Sequence, residues 1–159
     1  MTGQSTVRLT VNGTRRSVTV PSSMTLLEMV RSRLGLTGSK ECCSEGECGA
    51  CTMIVDGEPV NSCLILAGEA DGAVITTIEG IGNGGMTRLQ ESFLKAGAVQ
   101  CGFCIPGMVV AASALLERIP LPTVAEIQEG MSGNLCRCGG YSRICDAVIS
   151  AVSPGGAGD

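Results

Sequence analysis

Residues 41–63, ECCSEGECGACTMIVDGEPVNSC, contain the cysteine pattern from which the fold can be worked out. Four cysteines in this stretch are spaced C-x4-C-x2-C-x11-C, and they are Cys43, Cys48, Cys51 and Cys63. Three thiolates from one loop can wrap two irons only if the backbone comes close enough for its N–H groups to donate to the sulfurs. Gly46 and Gly49 permit that approach because they carry no Cβ.

The first three cysteines have the C-x4-C-x2-C spacing of plant-type ferredoxins, whose fourth ligand lies further along the chain. The alternatives are a zinc ribbon with four cysteine ligands or ordinary cytosolic thiols. Zinc ribbons prefer two C-x2–4-C pairs, and this spacing is not of that kind. The segment therefore predicts a [2Fe–2S] cluster held by these four cysteines.

The sequence around this loop predicts a β-grasp domain. Alternating apolar residues on both sides of Asn12-Gly13 predict a hairpin with a type I′ turn. A capping box at Thr25–Glu28 predicts a helix that continues to Gly35. A second hairpin turns at Asp56-Gly57, and residues 73–77 predict a last strand. Two hairpins and one helix laid across a mixed sheet are typical of the β-grasp arrangement.

The chain changes character across GIGNGG, residues 80–85. Capping boxes at Thr87–Gln90 and Thr123–Glu126, together with Pro106 in a first turn, predict three helices. Residues 142–152 predict a fourth helix, so we expect a four-helix bundle.

The expected fold class is therefore α+β, with an N-terminal β-grasp, plant-type ferredoxin domain followed by a C-terminal four-helix-bundle domain. The predicted boundaries are residues 1–80 for the first domain, 81–85 for a glycine-rich linker, 86–153 for the second domain and 154–159 for a disordered tail.

A second set of cysteines lies in the helical half, as a C-x2-C pair and a C-x-C pair with 31 residues between them: Cys101, Cys104, Cys136 and Cys138. By spacing alone these pairs could hold zinc or iron. Both fall at predicted junctions between helices, and Gly102, Gly139 and Gly140 beside them again allow close backbone approach. A second [2Fe–2S] cluster is also the more useful companion to the first, which favours iron and leaves a structural zinc as the alternative.

The composition excludes several other kinds of chemistry. The 159 residues include ten cysteines and no histidine. Without histidine there can be no Ser-His-Asp triad, no Cys–His nucleophile pair, no zinc finger of the two-cysteine, two-histidine kind and no Rieske centre. A net charge of −4 without basic runs argues against nucleic-acid binding.

The sequence predicts neither export nor membrane insertion. The N-terminus MTGQSTVRLTVNG lacks the apolar core of a secretory signal. The longest apolar stretch, residues 108–116, is about half a membrane span. A chain without a signal stays in the reducing cytosol, where clustered cysteines more often bind metal than form disulfides. We therefore expect a cytoplasmic protein with no membrane span.

Four segments together resemble the small iron–sulfur subunit of the xanthine oxidase family of molybdenum hydroxylases, in its bacterial heterotrimeric type. They are residues 41–63, TTIEG at 76–80, QCGFCIPGM at 100–108 and GNLCRCGGY at 133–141, and the resemblance extends over residues 5–150. It implies an outer, more exposed cluster on the first four cysteines. It likewise implies an inner cluster, enclosed by the helical bundle, on the second four.

The resemblance also implies a function and partners. Members of the family hydroxylate an electron-poor carbon with oxygen taken from water. Electrons pass singly from molybdopterin on a large subunit through both clusters to FAD on a medium subunit, or to another acceptor. Gln100 and Cys138 are similar to the residues nearest the pterin. The expected assembly is a dimer of heterotrimers, in which this chain does not turn over substrate alone.

Two residues depart from the family pattern. Cys42 replaces the usual Gly before the first ligand, as in some bacterial purine-oxidising relatives, and Ile105 replaces the commoner Thr. The expected substrate is therefore a purine, another N-heterocycle or an aldehyde, with CO or an aromatic acyl-CoA as alternatives. Cys42 and Cys145 remain after eight ligands are assigned, and we expect both to be buried free thiols without a redox role.

Two other functions compete with the relay subunit: a freely diffusing ferredoxin and a zinc-stapled interaction module without redox chemistry. A diffusing carrier would need a highly charged surface. Only 16% of the residues are charged and the mean hydropathy is +0.33, which suits a chain buried among partners.

Overall fold

In the computed structural model, which describes residues 3–82 and 84–153, the first half of the chain forms a five-stranded mixed sheet. The strands lie in the order β2-β1-β5-β3-β4. Strands β1 and β5 are parallel, and the other neighbours are antiparallel. The bounds are β1 Gln4–Val11, β2 Thr14–Pro21, β3 Thr52–Val55, β4 Glu58–Asn61 and β5 Val74–Thr76.

Both predicted hairpins are present with the predicted turns. Asn12 and Gly13 have φ of 49° and 75°, and Asp56 and Gly57 have φ of 50° and 91°. Two consecutive residues with positive φ are the signature of the type I′ turn, whose twist matches that of the flanking strands. The hairpins pair Val11 with Thr14 and Val55 with Glu58.

One helix, α1 (Leu26–Ser32), packs on this sheet and begins at the predicted capping box. The Glu28 N–H donates to Thr25 Oγ1 at 3.1 Å, and the Thr25 N–H donates to Glu28 Oε2 at 2.7 Å. The helix ends three residues before Gly35, earlier than predicted. The Leu34 and Leu36 N–H groups instead donate back to Met29 and Val30. Gly35, at φ 71°, turns the chain toward the cysteine loop.

Four helices lie in the described part of the second half: α2 Arg88–Lys95, α3 Ile105–Arg118, α4 Val124–Gly130 and α5 Tyr141–Val152. Capping boxes begin α2 and α4 as predicted, and Pro106 lies in the first turn of α3. Within residues 3–82 and 84–153, no helix is both long and apolar enough to cross a membrane.

Each half has its own hydrophobic core. In the first, Val7, Leu26, Met29, Met53 and Ile75 are almost completely buried. In the second, the core includes Phe93, Met108, Ile127, Ile144 and Val148. The fold is therefore α+β, as predicted.

The two cores meet where α3 lies against β3. Val110 and Ala114 of α3 pack on Ile54 of β3, with Ile78 and Ile81 alongside. Ile81, the first residue of the predicted linker, also packs on the core of the helical half. Residue 83 of that linker and the tail 154–159 lie outside the described residues.

Candidate iron–sulfur centres

The first site is formed by the loop after α1 together with the start and the end of the β3–β4 hairpin. Cys43 and Cys48 lie in the loop and are half-buried. Cys51 directly precedes β3, and Cys63 lies in a single 3-10 turn, Ser62–Leu64, that follows β4. Both are buried, at 3% and 9% exposure. The hairpin therefore returns Cys63 to the loop from which it starts.

The cysteines of the first site meet as two pairs. The thiols of Cys43 and Cys48 are in hydrogen-bonding contact, and so are those of Cys51 and Cys63. Burial raises the pKa of Cys51 from 9.0 to about 11. The Cys43–Cys48 pair is therefore partly accessible to solvent, whereas the Cys51–Cys63 pair lies against the core.

Backbone N–H groups surround the sulfur of Cys43. The N–H of Glu45, followed by the N–H and the thiol of Cys48 and the N–H of Glu47, lower the pKa of Cys43 from 9.0 to about 6. Donors of this kind stabilise negative charge on sulfur, which is what a cluster with four thiolate ligands requires. The loop is held in this shape by positive φ at Ser44 and Gly46, 55° and 81°.

The second site joins two loops of the helical half. Cys101 and Cys104 lie between α2 and α3, and Cys136 and Cys138 lie between α4 and α5. The thiols of Cys101 and Cys138 are in contact, as are those of Cys104 and Cys136. All four predicted cysteines therefore come together here, again as two pairs.

Cys136 has two hydrogen bonds that fix its position in the second site. The Gly140 N–H donates to its Sγ at 3.4 Å, and its own N–H donates to the Tyr141 hydroxyl oxygen at 2.9 Å. Burial opposes ionisation of Cys136, but the N–H of Gly140, the thiol of Cys104 and the N–H groups of residues 138 and 139 lower its pKa. The shift has the same electrostatic cause as that at Cys43.

The other thiols of the second site respond to burial and to their neighbours. Burial, followed by the Cys136 thiol, raises the pKa of Cys104 from 9.0 to about 12. The pKa of Cys101 is lowered by the N–H of Phe103 and by the thiol of Cys138. Each pair therefore contains a thiol whose sulfur accepts backbone hydrogen bonds.

The donor set fits [2Fe–2S] clusters. A [2Fe–2S] cluster held by four cysteines needs soft thiolate ligands and hydrogen-bond donors to sulfur. Each site provides four cysteines, which meet as two pairs, and several N–H donors. In the described ranges 3–82 and 84–153, no three Cys, His, Asp or Glu side chains form a group that could hold a metal ion, so the thiols of each site are arranged as pairs.

The two ligand loops touch each other directly. The Leu135 N–H donates to the Cys48 carbonyl oxygen at 2.9 Å, and the Asn134 side-chain amide donates to the Gly49 carbonyl oxygen, also at 2.9 Å. A Cβ on Gly49 would lie 2.4 Å from the Gly133 carbonyl oxygen. The contact therefore depends on a residue without a side chain.

The exposure of the second site differs from expectation. The resemblance predicts an inner site enclosed by helices, yet Cys101 and Cys138 are exposed in this chain, as is Gln100. Phe103, Leu135 and Tyr141 around them are about half-exposed, at 45%, 52% and 48%. The helices cover Cys136 and, in part, Cys104, and leave the other pair at the surface.

The prediction that both spare cysteines are buried is wrong for Cys42. Cys42 is exposed, and the electrostatic interaction and hydrogen bond of its thiol with Cys48 raise the pKa of Cys42. Cys145 is half-buried in α5, where burial raises its pKa. Cys43, which receives the backbone hydrogen bonds, is better placed than Cys42 to be a ligand.

Three polar residues of the site were missed by sequence reasoning: Thr52, Asn134 and Tyr141. All three lie near cysteines predicted to be ligands, and the segment GNLCRCGGY contains two of them, Asn134 and Tyr141. Their partners lie up to 85 positions away, so the sequence pattern contains no signal for the contacts.

Comparison with known proteins agrees with this chemistry. Residues 9–75 match the family described as a 2Fe-2S iron-sulfur cluster binding domain, and residues 77–149 match that described as a [2Fe-2S] binding domain. Together they define an iron–sulfur protein that carries two [2Fe–2S] clusters and transfers electrons.

The relatives identify the family. The nicotinate dehydrogenase small FeS subunit of Eubacterium barkeri is 53% identical over 148 residues, 92% of this chain and 94% of that subunit. The xanthine dehydrogenase iron-sulfur-binding subunit of Escherichia coli O157:H7 is 44% identical, over 91% and 92%. The solved quinoline 2-oxidoreductase of Pseudomonas putida 86 is 44% identical, with a TM-score of 0.91 over 94% of this chain and 93% of that one. The chain belongs to the small iron–sulfur subunits of the xanthine dehydrogenase family of molybdenum hydroxylases.

Proposed function

We propose that this chain conducts electrons from a molybdopterin centre on a large partner subunit to FAD on a medium subunit, in a dimer of heterotrimers. The observation that carries the proposal is the hydrogen bond from Leu135 to Cys48, because it joins the two sets of cysteine ligands directly. The proposed ligands are Cys43, Cys48, Cys51 and Cys63 in the first site and Cys101, Cys104, Cys136 and Cys138 in the second.

The clusters, when bound, each accept and release one electron at a time. The chain's own residues determine where they lie and how strongly negative charge on the sulfurs is stabilised. N–H groups of the loops at Cys43 and Cys136 provide that stabilisation. The buried cysteines Cys51 and Cys136 hold each site against its core.

The contact between the loops provides a short connection between the sites. From Cys136 the connection runs through one peptide bond to the Leu135 N–H, across one hydrogen bond, and through the Cys48 carbonyl to the Cys48 side chain. Packing of α3 on β3 fixes the two halves in this relation. A relay needs a constant separation between its sites, and this contact maintains it.

The exposed part of the second site is the proposed contact with the molybdenum subunit. Gln100, Cys101 and Cys138 are at the surface, and half-exposed Phe103 and Tyr141 flank them. Exposed aromatic side chains are enriched in the part of a surface that a partner covers. We place Gln100 and Cys138 nearest to the pterin.

The finer description of the fold also belongs to this proposal. The sheet order β2-β1-β5-β3-β4 with α1 across it supports a β-grasp domain, and the packing of α2 to α5 supports a four-helix bundle. The two family matches divide at residue 76, and the sequence places the linker at 81–85. We keep that linker as the proposed boundary.

We propose an N-heterocycle as the substrate class of the complete enzyme. The relatives described above act, by their names, on nicotinate, xanthine and quinoline, and all three compounds contain nitrogen in an aromatic ring. The Cys42-Cys43 pair, expected for purine-oxidising relatives, agrees with this class. Substrate-binding residues would lie on the molybdenum subunit.

The relay is tested in the purified complex by stopping it at each site. Cys138→Ala is expected to prevent substrate from reducing the flavin and the first cluster. Cys48→Ala should leave the second cluster reducible by substrate while the flavin stays oxidised. Stopped-flow absorbance and EPR follow each centre, with nicotinate, xanthine and an aldehyde as substrates. Flavin reduction at the normal rate in Cys48→Ala, with the first cluster absent, would refute the serial relay.

A further inference from the structure

A buried polar network lies between the two ligand loops. The Gly49 carbonyl oxygen accepts three hydrogen bonds: from the Thr52 N–H at 3.1 Å, from Thr52 Oγ1 at 2.6 Å and from the Asn134 side-chain amide at 2.9 Å. The Asn134 amide also donates to Thr52 Oγ1 at 3.1 Å. Thr52 is 5% exposed and Asn134 6% exposed.

The network joins parts of the chain with separate cluster-binding roles. Gly49 and Thr52 flank the Cys48–Cys51 segment of the first site. Asn134 belongs to the helical half, two residues before Cys136. A residue of the second ligand loop is therefore bound to the backbone of the first ligand loop.

Hydrogen bonds to a carbonyl oxygen polarise its peptide group, and in a water-excluded site this effect is strong. The peptide that contains the Gly49 carbonyl ends in the Ala50 N–H, directly before Cys51. Withdrawal of electron density by three donors makes that N–H more positive. This N–H is one residue from Cys51, a proposed ligand, and positive N–H dipoles near a cluster stabilise its reduced form and so raise its potential.

We infer that Asn134 and Thr52 are positioning residues for the first cluster, so that the helical half tunes the electron affinity of the cluster held by the β-rich half. The inference rests on the proposed assignment of the cysteine ligands. It differs from a merely structural role, in which the same bonds would only hold the halves together. A structural role would change thermal stability without moving the potential of the first cluster.

Thr52 offers the sharper test because two substitutions separate its hydroxyl from its shape. Thr52→Val removes the hydroxyl at nearly constant volume, and Thr52→Ser retains it. Redox titration of the full chain, followed by EPR, measures the midpoint potential of each cluster. A Cys43→Ser variant identifies the EPR signal of the second cluster. Thr52→Val is expected to shift the midpoint potential of the first cluster to more negative values, whereas Thr52→Ser leaves it near the wild-type value.

Asn134→Leu should also shift the midpoint potential of the first cluster to more negative values, although residue 134 lies beside the second site. Ser132→Ala is the matched control, because Ser132 is exposed in the same segment and bonds only to the Glu129 carbonyl among the described residues. The inference is overturned if Thr52→Val lowers the melting temperature and leaves both midpoint potentials unchanged. It is also overturned if Asn134→Leu changes only the midpoint potential of the second cluster.

Should Asn134→Leu fail to retain iron, the comparison of Thr52→Val with Thr52→Ser decides alone. Failure of the ligand assignment has a separate signature. In that case the wild-type chain itself would lack two distinguishable reduced clusters.

Discussion

The first site takes three of its cysteines from residues 43–51, whereas the second takes two from each of two loops that are 31 residues apart. The first is closed by a hairpin that returns Cys63 to its starting point, and the second by the packing of helices. Despite this difference, each site consists of one buried or partly buried pair and one more accessible pair. Both halves of the chain therefore leave one side of their site accessible, although they build the site in different ways. An electron relay needs such an accessible side at each site.

The largest expected effect separates the two sites by removing one at a time. Cys43→Ser removes a proposed ligand of the first site, and Cys101→Ser removes a proposed ligand of the second. Each should lower the iron content from about four to about two atoms per chain and abolish one of two EPR signals. Iron analysis, acid-labile sulfide and EPR of the purified chain provide the measurement.

Cys42→Gly and Cys145→Ala are the matched controls and should both retain the full iron content. Loss of iron in Cys42→Gly, with none in Cys43→Ser, would transfer the ligand role to the neighbouring residue. A wild-type chain with about one zinc per chain would instead make the second site a structural zinc site.

The next largest effect tests whether the two sites share one stable unit. Gly49→Ala places a Cβ 2.4 Å from the Gly133 carbonyl oxygen at a φ of 67°. We expect it to lower the free energy of unfolding by about 3 kcal/mol or more. Gly35→Ala is the matched control, because Gly35 has a similar φ of 71° and nothing within 4 Å, so about 1 kcal/mol is expected. Thermal unfolding measures both, and equal effects would show that the contact between the loops contributes nothing.

A smaller effect concerns the second site alone. Tyr141→Phe removes the oxygen that accepts the Cys136 N–H, at a cost of about 1 kcal/mol. The EPR signal of the second cluster should change while that of the first stays constant. Phe103→Leu, which alters an exposed ring beside the same cysteines, is the control. A change confined to the first signal would contradict the assignment.

The smallest expected effect lies in α4, before the Cys136 loop. The N–H and hydroxyl of Thr123 lower the pKa of Glu126 below its ordinary 4.5. A lowered folded-state pKa contributes stability above the unfolded pKa, and that contribution is lost as the pH falls through the folded value. Glu126→Gln should therefore reduce the free energy of unfolding at neutral pH, and its difference from the wild type should disappear as the pH falls through the folded-state pKa of Glu126. Denaturant unfolding against pH tests this, with Glu129→Gln in the same helix as the control.

Local structure was predictable from the sequence, because its causes are local. The turns at Asn12-Gly13 and Asp56-Gly57 and the capping boxes at Thr25, Thr87 and Thr123 depend on neighbouring residues, and all are present. The cysteines of each site meet as pairs of thiols, and their role as cluster ligands stays a prediction. The end of α1 was predicted too late, since backbone hydrogen bonds after Ser32 close the helix before Gly35.

Contacts between the halves were not predictable. The bonds from Asn134 to Gly49 and Thr52 depend on the packing of α3 against β3, which determines which loops meet. The exposure of Cys101 and Cys138 in the chain alone was not predicted either, because the expectation described an assembled enzyme. Exposure of Cys42 depends on the local path of the loop, which spacing does not specify.

The glycines at positions 49 and 107 limit which first and second halves of such chains can be joined in one chimera. A Cβ on Gly107 of α3 would lie 2.3 Å from the Gly49 carbonyl oxygen, and a Cβ on Gly49 would collide with residues 133 and 134. Each half therefore has a glycine where the backbone of the other half enters. A chimera that joins the first half of one such chain to the second half of another will assemble only if both parents contribute these glycines.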